Sequence, residues 1–117
     1  MVNVDSLVEV KEDLRGDILI LKVNGRLDAV SSPSTEKKIF DYINNGHVKI
    51  LLNFSGVDYL SSAGMRVLLS VAKKLKAISG KLIVCSVTPN VMDVLKMSGF
   101  DHVLELTKKE EDAFNRF

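Results

Sequence analysis

The sequence predicts an α/β fold: a mixed, mostly parallel sheet of four to five strands, with an antiparallel N-terminal strand and about four helices. Three observations predict it. Short runs rich in Val, Ile and Leu alternate with longer stretches whose apolar residues recur every three or four positions. Two of those stretches open on a hydroxyl residue followed by proline, Ser32-Pro33 and Thr88-Pro89, which is how helices begin. The run Ile50-Leu51-Leu52 is apolar on both faces, as a central parallel strand requires. At 117 residues the chain can bury a core of its own. No linker, repeat or low-complexity tract divides it, so residues 1–117 read as a single domain.

Residues Leu7 to Leu14 alternate weakly and form the first strand. Arg15-Gly16-Asp17 is a turn, and Ile18 to Val23 is a well-buried second strand closed by Asn24-Gly25. So short a turn makes the pair an antiparallel hairpin with the first strand at the edge. After Gly25-Arg26-Leu27-Asp28, the Ser31-Ser32-Pro33 start predicts a helix to about Asn45, burying Ile39, Phe40 and Ile43 and ending on Asn45-Gly46. His47 to Phe54 is the central strand. A second helix runs from Ser62 to about Ser79 with Met65, Leu68, Leu69, Ala72 and Leu75 as its apolar stripe. Gly80 ends it, and Lys81 to Ser86 is a short strand. From Thr88-Pro89 a short helix buries Val91, Val94 and Leu95 and stops at Ser98-Gly99, with Met92 and Met97 filling core or rim. Phe100 and Val103 to Leu106 supply a last edge strand. Thr107-Lys108-Lys109-Glu110 fits a capping box that starts a final helix, with Ala113, Phe114 and Phe117 on its apolar side.

Sixteen basic residues against fifteen acidic ones leave a formal charge of +1, without the basic surplus that nucleic-acid binding usually needs. Trp is absent and aromatics make up 6%, which argues against a base-stacking platform. The single cysteine, Cys85, lies in the apolar run Leu82-Ile83-Val84-Cys85 and reads as a small buried hydrophobe. An acidic N-terminus without an apolar segment, and no apolar run long enough to span a bilayer, predict a cytoplasmic protein away from the membrane.

Enzyme motifs are missing. No glycine-rich loop ends in Lys-Ser or Lys-Thr, and no Gly-x-Gly-x-x-Gly occurs. A nucleophile elbow at Ser62 would need glycine where Leu60 stands. His47 and His102 lack catalytic partners in the sequence, and two histidines with one cysteine do not make a zinc site. No catalytic residue, metal or cofactor is expected.

The chain is organised around Val57 to Leu69, where two serines, a small residue and a glycine separate an apolar strand from an amphipathic helix. A hydroxyl there meets unpaired N–H groups and the positive end of the helix dipole. Ser61 or Ser62 is a helix cap, or a serine that carries a phosphate, or both. If the strands before Asp28 and before the serines are parallel, Asp28 lies on the same face, as a turn residue or as part of a functional surface.

Three segments resemble the STAS domain of the anti-sigma factor antagonist type: Gly25-Arg26-Leu27-Asp28, Ile50-Leu51-Leu52-Asn53-Phe54, and Asp58-Tyr59-Leu60-Ser61-Ser62-Ala63-Gly64-Met65-Arg66-Val67-Leu68. Gly80 before a strand and Met97-Ser98-Gly99-Phe100 extend the resemblance to nearly the whole chain. It implies partner switching. The unphosphorylated antagonist binds an anti-sigma factor that is also a serine kinase, and so releases the sigma factor. Phosphorylation of a serine at the start of the second helix ends the complex, and a PP2C-type phosphatase restores it. Judged by Gly64 two residues on, that serine is Ser62, ahead of Ser61, which stands where the family often has aspartate. The implied partner surface comprises Asp28, Ser61, Ser62, Ala63, Gly64 and Arg66. Two other readings fit the same residues: a STAS-type subunit of a larger signalling or transport assembly, and a small nucleotide-binding sensor.

Overall fold

The computed structural model describes residues 8–117, so Leu7, expected to open the first strand, lies outside them. At the centre is β3 (Lys49–Leu60), flanked by β2 (Ile18–Leu27) and β4 (Lys81–Cys85); β1 (Val8–Arg15) and β5 (Glu105–Thr107) are the edges. The five strands lie in sequence order. β1 runs antiparallel to β2, and the remaining pairs are parallel. Helices α1 (Ser32–Asn44), α2 (Ser62–Ala77), α3 (Pro89–Ser98) and α4 (Glu110–Ala113) complete the fold, with single 3-10 turns at Phe100–His102 and Phe114–Arg116.

The alternation of β3 decides where everything packs. Ile50, Leu52 and Phe54 point to one face, where they join Leu19 and Leu21 of β2 and Val84 of β4 beneath α1, α2 and α3. Leu51 points to the other face, with Ile18, Ile20, Ile83 and Cys85, and is covered by Ala113, Phe114 and Phe117 at the C-terminal end. Each such side chain contributes about 1.5–3 kcal/mol by leaving water. Cys85 is buried, and burial pushes its thiol pKa up, so it serves as the small hydrophobe expected of it.

Several boundaries differ from the sequence expectation. Asn24-Gly25 does not close β2. The strand continues to Leu27 through register shifts on either side of Asn24-Gly25, with Gly25 at φ +131, a conformation suited to glycine. Its partner β3 likewise runs past Phe54 to Leu60, because Asn24 pairs with Gly56 and Leu27 with Leu60. Pairing between neighbours overrides local turn signals here. His47 and Val48 precede β3 rather than starting it, and Ser86 falls beyond β4.

On α2 the buried face is Gly64, Val67, Leu68, Val71 and Leu75, while Met65 and Ala72 border it and Leu69 is half-buried. Met97 was expected in core or rim and is instead 89% exposed. Thr107 does not cap α4. It ends β5 and donates to the Lys109 carbonyl, and Lys109 holds the cap position. Glu110 accepts a hydrogen bond from Asn53 Nδ2 at 2.9 Å, which ties α4 to β3.

Leu52 is fully buried at the middle of the sheet. Leu52→Ala should lower the unfolding free energy by about 2–5 kcal/mol in urea titrations. Met97→Ala should change it by less than about 0.5 kcal/mol.

Candidate functional site

The parallel pairing of β2 with β3 brings the ends of both strands to one edge of the sheet. There the Leu27 carbonyl accepts two hydrogen bonds from Ser61, one from its N–H at 2.8 Å and one from its hydroxyl at 3.0 Å. No loop separates β3 from α2. Ser61 alone joins them, in extended conformation at φ −85, ψ 174.

The two serines have different tasks. Ser61 Oγ donates to Leu27 O and accepts from the Gly64 N–H at 3.2 Å, as a helix cap does. Ser62, the first residue of α2, is exposed, and its hydroxyl makes no hydrogen bond among the described residues. The N–H groups of Ser62 and Ala63 likewise find no acceptor there, as expected in the first turn of a helix. Gly64 is needed for close approach. A Cβ there would sit 2.6 Å from Leu60 Cδ1 and 2.9 Å from the Leu27 carbonyl oxygen.

Asp28 follows Leu27 directly, so it lies beside this pair as the parallel arrangement requires. Its Oδ1 accepts from the N–H groups of Val30 and Ser31, both at 3.0 Å. The Ser31 N–H bond does most to hold this carboxyl below the usual aspartate range. Desolvation opposes it, while the Val30 N–H, the Ser31 hydroxyl and the charge of Arg26 add to it. Ser31 is buried and donates to the Arg26 carbonyl, and the Ser32 N–H closes the turn on Asp28 O at 3.0 Å. Asp28 is thus a turn residue in this fold, with Oδ2 free of hydrogen bonds among the described residues. Arg66 is exposed on α2, one turn beyond Ser62.

One feature had no sequence signal. Arg26 stacks over the exposed Tyr59 ring at 4.1 Å, next to Asp28 and the serines. Seeing it requires the β2–β3 register that opposes the two residues. The histidines are elsewhere. His47 packs edge-on against Tyr42 and is separated from Ser62 by the length of β3, on the order of 35 Å. His102 is exposed beside Asp101. Among the described residues, no group of His, Cys, Asp or Glu could hold a metal ion, and no helix is long and apolar enough to cross a membrane.

The fold and site define a small α/β domain that displays, at one edge of its sheet, a helix start whose first residue, Ser62, has an exposed hydroxyl with no hydrogen-bond partner among the described residues. The STAS domain family model matches residues 9–113, and the chain belongs to that family. BtrV of Bordetella bronchiseptica, provisionally named an anti-sigma factor antagonist, is 31% identical over 100 residues, covering 86% of each chain. A Thermotoga maritima protein with the same provisional name superposes at a TM-score of 0.87 over 92% of each chain, with 23% identity. The Bacillus protein SpoIIAA, an anti-sigma factor antagonist, superposes in its unphosphorylated form at 0.77 over 92% of this chain and 95% of its own, with 24% identity. Its phosphorylated form superposes at 0.69 over 92% of this chain and 98% of its own, with 23% identity. Anti-sigma factor antagonists are regulatory binding proteins rather than enzymes.

Two outcomes test the site's architecture. Gly64→Ala should destabilise by about 1–3 kcal/mol and Ser61→Ala by about 1 kcal/mol in chemical denaturation, with Ser62→Ala close to neutral. Asp28 has a lowered folded pKa, so its contribution is present above the unfolded value and is lost as pH falls through the folded one. Between neutral pH and about pH 5 that contribution is constant; below this the melting temperature should fall less steeply in Asp28→Asn than in the parent.

Proposed function

We propose that this chain is an anti-sigma factor antagonist that acts by partner switching, with residues 1–117 as one cytoplasmic STAS domain. Unphosphorylated, it binds an anti-sigma factor that is also a serine kinase, and the sigma factor is released. The kinase transfers a phosphoryl group to Ser62, the complex separates, and a PP2C-type phosphatase returns the binding form. The partner surface is Asp28, Ser61, Ser62, Ala63, Gly64 and Arg66.

The observation that carries this reading is the contrast between adjacent serines. Ser61 has its proton and a lone pair engaged in holding the helix, while Ser62 is exposed and unbonded. A kinase needs a hydroxyl that it can reach without unfolding its substrate, and Ser62 meets that need. A phosphate there brings about −1.5 to −2 charges into a place where helix N–H groups are free to donate to its oxygens. The fold should therefore tolerate the modification, and its effect falls on the contact surface through charge, bulk and desolvation.

Intact-mass analysis after incubation with ATP and a cognate anti-sigma kinase tests this. One phosphoryl group should appear on the parent and on Ser61→Ala, and none on Ser62→Ala. Ser62→Ala should still bind the kinase, and added ATP should no longer separate that complex. Modification of Ser62→Ala, or no modification of the folded parent by kinases active on other substrates, would refute the assignment.

A further inference from the structure

We propose that, once Ser62 carries a phosphate, that group is held against its own chain by Arg66, in the groove that Arg66 and Ser32 line between α1 and α2. The inference rests on the reading of Ser62 as the modified residue and adds how the modified form is built.

Four observations converge on this groove. First, it has a volume of about 300 Å³, and Ala63, the residue after Ser62, is among those that line it. Second, Arg66 follows Ser62 by one helical turn, so both lie on one side of α2, and a long side chain on a helix leans toward the N-terminus. An anion placed N-terminal to a cation at this spacing is the favourable order for an ion pair. Third, the chain has four arginines, and three are engaged: Arg15 with Asp13, Arg26 over Tyr59, and Arg116 with Glu105. Arg66 makes no ion pair or ring contact among the described residues. Fourth, the Ser32 hydroxyl is buried, with the residue 2% exposed, and has no hydrogen-bond partner although it lines the same groove. A buried hydroxyl left without a partner is destabilising, and an incoming acceptor would relieve that.

A phosphoserine supplies what these groups lack. Its oxygens accept from the guanidinium, from the Ser32 hydroxyl and from the free N–H groups of the first turn. The acids on the surrounding elements are Glu36 on α1, which also lines the groove, Asp28 in the turn before α1, and Asp58 on β3. All three disfavour the dianion, while Arg66, the Arg26 guanidinium over Tyr59 and the free N–H groups of the first turn favour it, so the part due to Arg66 is read from the change when Arg66 is removed. Clamped in this way, the phosphate would also withdraw Arg66 from any acidic group on a partner. One modification then removes a cation from the contact surface as well as adding an anion.

The test is a ³¹P NMR titration of protein with phosphoserine installed at position 62 during translation. The parent's second phosphate pKa should lie below the value of about 6 typical of a free phosphoserine. Arg66→Ala should raise it by about half a unit or more, roughly threefold in proton affinity. Arg66→Lys should recover part of the shift, and Ser32→Ala should raise the pKa by less than Arg66→Ala does. A phosphate in Arg66→Ala that titrates as in the parent would overturn the proposal. Because the phosphate is installed without a kinase, the two readings fail separately. A kinase that ignores Ser62 removes the switch and leaves the titration standing, whereas an unchanged titration removes only the clamp.

Discussion

The carbonyl of Leu27 is the point on which this domain depends. By accepting both the N–H and the hydroxyl of Ser61, it joins the end of β2 to the start of α2 across a strand boundary. Everything at the functional edge follows from that junction. Asp28 lies beside the serines because it follows Leu27. Gly64 must lack a side chain because its helix turn rests on Leu27 and Leu60. The free N–H groups of α2 face outward because the cap residue is turned inward. A helix start held in this way is a fixed platform, and fixed platforms present modifiable groups without the entropic cost of ordering a loop.

The accounting of polar groups explains why two neighbouring serines are not equivalent. A hydroxyl has one proton and two lone pairs. At Ser61 the proton and one lone pair are both engaged, so attachment of a phosphate there would break the cap and the cross-strand bond together. At Ser62 nothing is broken. The same logic applies to Asp28. One carboxylate oxygen holds the turn before α1, which places that acid in a defined position whatever partner meets it. Structure and display are divided between adjacent atoms rather than between distant residues.

The fold was legible because apolar periodicity and Ser/Thr-Pro helix starts report local constraints, and those agree with the tertiary arrangement. The misreadings are equally physical. Asn24-Gly25 looks like a strand end, and the apolar run of the central strand stops at Phe54, but β2 and β3 go on pairing to Leu27 and Leu60, and pairing outweighs local preference. On α2, Val67 and Val71 are buried while Leu69 is only half-buried, because a helix with apolar residues over a wide arc does not say which part of the arc meets the sheet. Thr107 and Glu110 have the spacing of a capping box, yet Glu110 is drawn to Asn53 and Thr107 into β5. The site followed the same division. Ser61, Ser62 and Gly64 are neighbours in sequence and could be found there. The Arg26–Tyr59 stack and the groove of Arg66 with Ser32 join different elements, and only the assembled sheet brings them together.

Charge would make the proposed modification at Ser62 consequential. The formal charge of the chain is +1, so it projects little net field and its recognition must depend on local pattern. A phosphate of about −1.5 to −2 charges carries the whole chain across neutrality. Its reach is limited by screening to about 8 Å at physiological ionic strength. That radius takes in the start of α2 and its immediate surroundings, and leaves the distant core and the C-terminal end unaffected. A switch of this kind does not require the fold to move. It would require only that the modified hydroxyl lie on the surface being read, and the Leu27–Ser61 junction holds the exposed Ser62 next to Asp28 at that edge of the sheet.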